Sequence, residues 1–324
     1  MIPNAFAGQT VAVTGAAGFL GGRLVERLAA TPCRLLRVAR RPLPALEFGS
    51  TAPIDVVGDL ADQVTWDRVV AAADVVLHCA AQTSAVVAEE NPAADFQANV
   101  TPMRHLVAAC HKCHRHPVVI FAGTVTQAGL PSRLPVDEDV ADQPVTVYDR
   151  HKLLAEAELK SAALHGTLLG GSLRLSNVYG PGAARPRPGR DVLNRMIKMA
   201  VAGEGLTVYG SGEFVRDYLF IDDVVEAFML AAMQAAAVNA RHFIVGSGSA
   251  ITVRQAFELI ASRVEALTGR HVPVTMVAPR QPLPAIDGRN FVANPARFIA
   301  ATGWRPAYTL AQGIDRTIEA LTCG

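Results

Sequence analysis

Residues 10–28 read TVAVTGAAGFLGGRLVERL, an apolar β-branched run, three glycines spaced three apart, and then leucine and valine at helical intervals. Apolar continuity over 10–14 suits a strand buried on both faces, and Leu20, Leu24, Val25 and Leu28 form one stripe of a helix. Gly15 suits the sharp turn between the two, Gly18 lets backbone N–H groups approach a ligand, and Gly21 lets the helix pack close to the strand. The helix N-terminus favours negative charge, so a pyrophosphate, and with it a dinucleotide, is the ligand this turn is expected to hold.

The same alternation continues. Apolar runs recur at 34–39 (RLLRVA), 54–59 (IDVVGD), 74–80 (DVVLHCA), 117–123 (PVVIFAG) and 170–177 (GGSLRLSN), with helical patterns between them. Short buried strands separated by helices predict a doubly wound α/β domain with a parallel sheet, the Rossmann arrangement. From 178 the chain turns to Pro, Gly and Arg, followed by a helix over 192–202, a strand over 206–210, a helix over 222–236, a strand over 242–246 and a last helix near 310–321. The predicted division is 1–177 with 222–248 for the dinucleotide domain, and 178–221 with 249–324 for a smaller interleaved substrate lobe.

Composition narrows the partners. The 324 residues are 50% hydrophobic, and 30 Lys+Arg against 29 Asp+Glu leave a net charge of +1, so no global field draws nucleic acid or an anionic membrane. Residues 1–18 lack a basic segment followed by an apolar run, and no stretch approaches the ~20 apolar residues of a membrane span. A soluble cytoplasmic protein is expected. Five cysteines (33, 79, 110, 113, 323) are irregularly spaced, which suits free thiols.

Tyr148-Asp-Arg-His-Lys152 places a phenol and an ammonium four apart on one helix face, with Cβ atoms ~5–6 Å from each other. The ammonium stabilises a phenolate and brings the phenol toward use as an acid–base group near neutrality. The run 117–123 is followed at once by a hydroxyl residue, Thr124.

With Thr14 before the glycine triplet, these motifs in this order resemble the extended short-chain dehydrogenase/reductases, the NAD(P)-dependent nucleotide-sugar epimerase/dehydratase family. The resemblance spans essentially the whole chain. It implies Thr124, Tyr148 and Lys152 as catalytic residues. For the cofactor it implies Gly15, Gly18, Phe19, Leu20 and Gly21, then Asp59 and Leu60, Ala80 and Ala81, and Asn99, with Tyr148 and Lys152 at the nicotinamide end. Where a carboxylate would bind the ribose of NAD, the chain reads Val38-Ala-Arg40-Arg41. Two guanidinium groups suit a 2′-phosphate, which favours NADP(H) over NAD(H).

For a nucleotide-diphospho-sugar the resemblance implies Thr83, Thr126, Asn177, Val192, Tyr209, Arg216 and Arg280, with Arg289 competing for the last role. Gln127 and Ala128 depart from the usual Val-Tyr. Val125-Thr126 stands where dehydratases carry Asp-Glu, which disfavours a 4,6-dehydratase. The favoured expectation is an NADPH-dependent reductase of a 4-keto-sugar. The alternative is a 4-epimerase with retained NAD, which Thr126 favours, and a non-catalytic nucleotide sensor comes third. A homodimer is expected from family habit.

AACHKCHRHP (108–117) contains Cys110-His-Lys-Cys113-His114, the form that attaches haem or suggests zinc. It falls at the end of a helix leading into strand 117–123, with Cys110 on the apolar face and the basic residues on the last turn, where they complement the helix dipole. No metal is expected.

Overall fold

The structure, a computed structural model, describes residues 6–46, 52–182, 192–278 and 288–322. Its centre is a parallel sheet of seven strands: β1 (Thr10–Thr14), β2 (Arg34–Ala39), β3 (Ile54–Val57), β4 (Val75–His78), β5 (Val118–Thr124), β6 (Leu169–Leu175) and β7 (His242–Val245). They lie in the order β7-β6-β5-β4-β1-β2-β3. The order reverses between β1 and β4, and in such sheets the crevice outside the strands' C-terminal ends at that reversal is where ligands bind.

Both faces are covered, which is why the strands read as unbroken apolar runs. On one side Leu24, Val25 and Leu28 of α1 (Phe19–Ala29) join Val224, Phe228 and Met229 against β1, β6 and β7. On the other, Trp66, Val69, Met103, Leu106, Cys110, Ala155 and Leu159 pack on Leu36, Val76, Val119 and Phe121.

The second lobe has its own core of Leu193, Met196, Ile197, Val208, Phe257, Ile260, Val264, Ile314 and Ile318. Three short strand pairs tie its segments together: 177–179 with 218–220, 206–209 with 274–277, and 215–216 with 251–252. The tail returns to the sheet. Phe298 packs on Phe243 of β7 at a ring separation of 5.6 Å, and Trp304 packs on Phe298 at 5.5 Å. Trp304 also donates its indole N–H to the Asp223 carbonyl (2.9 Å), and the Asp223 carboxylate accepts the N–H groups of Ala307 and Tyr308.

The 108–117 segment is a helix end. The helix Thr101–Cys113 closes at His114, which takes a left-handed conformation with φ 49°. Cys110 is buried on the sheet side, and its burial, with the neighbouring Cys113, pushes the thiol up to about 12. Among the described residues no three His, Cys, Asp or Glu side chains converge as metal ligands, and no helix is long and apolar enough to cross a membrane.

Candidate active site

At the sheet reversal, the glycine turn is built by close approach. Gly15 has φ +68°, and a Cβ there would lie 2.9 Å from the Ala80 backbone. A Cβ on Gly21 would lie 2.2 Å from the Gly15 carbonyl oxygen, so only glycine lets α1 begin this close to β1. The Gly18 N–H closes the turn onto the Gly15 carbonyl (2.7 Å), and α1 starts one residue later, its first N–H groups unsatisfied within the helix. The Phe19 ring lies against Gly182 of the second lobe, and Leu20 packs on the core.

Thr14, the last residue of β1, fixes the neighbouring strand end. Its Oγ1 accepts the N–H groups of Cys79 (3.1 Å) and Ala80 (3.2 Å), so its own proton goes to His78 Nδ1 at 2.7 Å. Burial, helped by the Lys152 ammonium, pushes His78 down to about 3, so the imidazole is neutral and carries its proton on Nε2. Ala81 and Thr83 follow in a half-buried segment.

The other cofactor positions are set around this crevice. Arg40 and Arg41 are exposed directly after β2. Asp59, exposed after β3, caps its own turn by accepting the Ala61 N–H (2.9 Å), while Leu60 is buried beneath. Asn99 is 2% exposed and donates to the Gln82 carbonyl and the Asp95 carboxylate. Its Oδ1 is buried with no partner among the described residues. An unsatisfied acceptor and a turn that a Cβ would fill both fit a bound dinucleotide.

Thr124 ends β5 and caps a tight turn over Val125–Ala128. Its N–H donates to Gln127 Oε1 (3.1 Å), and its Oγ1 accepts the Thr126 N–H (3.3 Å). Tyr148 is the second residue of the helix Val147–Leu164, whose first turn is held by reciprocal bonds between Thr146 and Asp149. Thr126 donates its hydroxyl to Asp149, which brings the β5 turn against the first turn of that helix. Lys152 is 2% exposed, with Nζ 3.8 Å from the centre of the Phe121 ring, and its charge reaches His78 and Cys79 at the end of β4. The structure therefore brings the Thr124 turn, the first turn carrying Tyr148, and the Lys152 ammonium to the C-terminal ends of β4 and β5.

Beneath them lies a buried ionic cluster that the sequence reading missed. Arg174 of β6 grips Glu156 through two bonds (3.0 and 2.7 Å) and Asp142 through two more (2.5 and 2.9 Å). Glu156 also accepts from Lys160 (2.9 Å) and Gln127 (3.1 Å). Burial alone would raise the Glu156 carboxyl, but the Arg174 guanidinium more than offsets it and holds it well below the usual carboxylate range. Glu156 is four residues beyond Lys152, and that helical spacing was the available signal.

The substrate positions are more scattered. Asn177 donates to the Asp217 carbonyl (3.0 Å), and Arg216 donates to the carbonyls of Val215 and Arg289. Tyr209 is 58% exposed and Val192 46% exposed, while Arg280 lies outside the described residues. Asp217, unnoticed beside Arg216, is a fully buried carboxylate that accepts from Ser176, Ser247, Gly248 and Ala293 and so pins the start of the lobe.

Residues 11–246 match the family described as "NAD dependent epimerase/dehydratase family". A UDP-glucose 4-epimerase of Mycolicibacterium smegmatis is 29% identical over 317 residues, 95% of this chain and 96% of the relative. A dTDP-4-dehydro-6-deoxyglucose reductase of Escherichia coli is 26% identical over 97% of this chain and 98% of its own length. Among solved structures, UDP-glucose 4-epimerase of Thermotoga maritima with UDP-glucose superposes with a TM-score of 0.85 at 26% identity, covering 97% of this chain and 99% of that one.

Proposed function

Because the chain belongs to the NAD-dependent epimerase/dehydratase family, we propose that it is a nucleotide-sugar 4-epimerase that acts on a UDP-hexose and retains NAD. The observation that carries this reading is the gathering of Thr124, the Tyr148 helix turn and buried Lys152 at the C-terminal ends of the central strands, on the same side of the sheet's reversal as the glycine turn's crevice. Several relatives named as 4-epimerases align over nearly the full chain, which supports the epimerase over the reductase that the sequence alone favours.

Residues Gly15, Gly18, Gly21 and Asn99 would hold the dinucleotide, with Lys152 at its nicotinamide ribose. Bound there, it supplies a reversible acceptor for the hydride on C4 of the sugar. Tyr148 as phenolate takes the C4 hydroxyl proton and returns it after the sugar has turned over. Lys152 on the same helix face and the helix N-terminus beside Tyr148 both favour the phenolate. Thr124 contacts the reacting oxygen. Asn177, Tyr209 and Arg216 would face the nucleotide diphosphate, where Arg offers a bidentate match to phosphate.

One observation favours a second reading. Arg40 and Arg41 are exposed where a 2′-phosphate would sit, which suits an NADPH-dependent 4-keto-sugar reductase. Denaturing the purified protein and identifying released dinucleotide separates the two: stoichiometric NAD supports the epimerase, and an empty protein that oxidises NADPH with a 4-keto-sugar overturns it. Interconversion of UDP-galactose and UDP-glucose should fall by roughly 10²–10⁴-fold in Tyr148→Phe with NAD binding retained. Undiminished turnover in that variant refutes the site.

A further inference from the structure

The turn that follows Thr124 is tied to the helix Val147–Leu164 at two places. Near the helix start, Thr126 donates its hydroxyl to Asp149. Two turns further on, Gln127 reaches Glu156: its Oε1 accepts the Thr124 N–H (3.1 Å) and its Nε2 donates to Glu156 Oε2 (3.1 Å). The two ends of the amide cannot be exchanged, because a backbone N–H only donates and a carboxylate only accepts. Burial would raise the Glu156 carboxyl, but the Arg174 guanidinium holds it ionised. Gln127 is 0% exposed and closes a ring of bonds. Glu156 is gripped by Arg174, Arg174 grips Asp142 (2.5 and 2.9 Å), and the next residue, Gln143, donates its N–H to the Gln127 carbonyl (3.1 Å).

Tyr148, Lys152 and Glu156 follow one another at intervals of four, along one face of that helix. With a rise of about 1.5 Å per residue, Asp149 and Glu156 stand about 10 Å apart along its axis. One tie would leave the turn free to pivot; two set its tilt as well as its distance. We propose that Gln127 is a positioning residue: by joining the Thr124 N–H to the Glu156 carboxylate, it holds Thr124 in register with Tyr148 and Lys152. This rests on the reading of Thr124 as the residue that contacts the reacting oxygen. Hydride leaving C4 and hydride returning to it make the same demand, so the tie serves both halves of the reaction. The bond to the Thr124 N–H alone would be an ordinary helix cap, for which glutamate serves as well as glutamine. The tie needs more, a group that accepts from Thr124 and also donates to a carboxylate.

That difference supplies the test. Turnover of UDP-galactose, bound NAD and melting temperature are measured for the wild type, Gln127→Met and Gln127→Glu. Gln127→Met keeps the bulk and loses both bonds. Its kcat should fall by roughly 10- to 100-fold, the cost of a reacting group displaced by up to about 1 Å, with KM and NAD content within about twofold of wild type. In Gln127→Glu the new carboxyl, buried beside the Glu156 carboxylate, holds its proton well above the ordinary carboxylate range. Protonated, it accepts from Thr124 and donates to Glu156, and turnover approaches wild type. Ionised, it repels Glu156 and releases the tie while still able to cap. Turnover relative to wild type should therefore fall with rising pH, in step with the infrared band of the protonated acid. If Gln127→Met turns over within about twofold of wild type, or Gln127→Glu keeps wild-type turnover after that band has gone, Gln127 is only a cap and the proposal is overturned. If Gln127→Met does not fold, Gln127→Glu carries the test alone. If the wild type converts no UDP-hexose, the epimerase reading fails instead, and crystal structures of the wild type and Gln127→Met then decide: Thr124 displaced from Lys152 by about 1 Å supports the tie, and Thr124 unmoved refutes it.

Discussion

Replacing Arg174 by Met should damage this protein without touching any residue proposed to meet a ligand. The Arg174 side chain is 2% exposed and that of Glu156 is 0% exposed, so the change strands a carboxylate away from water with Lys160 and Gln127 as its remaining partners. Breaking a buried pair from one side costs about 3–5 kcal/mol. With an unfolding entropy of about 2.1 cal/mol/K per residue over 324 residues, that loss lowers Tm by about 4–7 °C. The pH dependence carries a sign. In the wild type the Glu156 carboxyl is depressed, so its contribution is present above the ordinary value of 4.5 and is lost as pH falls below it. In the variant the uncompensated carboxyl takes up a proton more readily, so the deficit against wild type is largest near neutrality and narrows on acidification. Scanning calorimetry at pH 7 and again near pH 4 reads both effects. The double variant Arg174→Met with Glu156→Met should recover part of the loss, since no fully buried charge is left stranded and Asp142 and Lys160, which lose their partners, are 27% and 26% exposed and reach water. A single variant that melts within 1 °C of wild type, or a double no better than the single, refutes the reasoning.

Two further outcomes are expected. Gly21→Ala drives a methyl into the Gly15 carbonyl at 2.2 Å, and with backbone on both sides the turn must open. Stability should fall by about 1–3 kcal/mol, and NAD⁺ affinity, read by calorimetry, should weaken by roughly tenfold or more; an unchanged affinity would separate the turn from the cofactor. Burial pushes the Asp223 carboxyl up to about 6, against the pull of the Ala307 and Tyr308 N–H groups and with Asp222 and Glu226 adding to the rise. Stability contributed by that proton is full below the ordinary value of 3.8 and is lost as pH rises to about 6. Chemical denaturation across pH 4–7 should show this slope in the wild type and not in Asp223→Asn.

The glycine turn, the strand runs and the Tyr148/Lys152 spacing were legible because each is a local pattern whose physics needs no partner: a period, a forbidden Cβ, a shared helix face. The seven strands fall within a residue or two of their sequence-based bounds for the same reason. What the sequence hid was pairing across distance. Gln127 read only as a departure from a family pattern, yet it bonds the Thr124 N–H on one side and Glu156 on the other. Arg174 read as one residue of an apolar strand because Glu156 and Asp142 lie 18 and 32 residues away in the chain, and the bond from Thr126 to Asp149 was hidden in the same way by a separation of 23. Conversely, Cys110-His-Lys-Cys113-His114 looked rich in chemistry because its residues are neighbours in sequence, while the helix turns them in different directions and buries Cys110 against the sheet.

Trp304 and Phe298 give the tail a further significance. Their rings stack onto β7, and the next few residues clasp Asp223 on the helix that covers the sheet. A chain ended after Pro295 would therefore be an open core rather than a shortened enzyme, with Phe243 laid bare and the Asp223 carboxylate stripped of its donors. During synthesis the sheet cannot be sealed until residue 308 has left the ribosome, so residues 298–308 serve as the latch for a domain whose first strand was made almost 300 residues earlier.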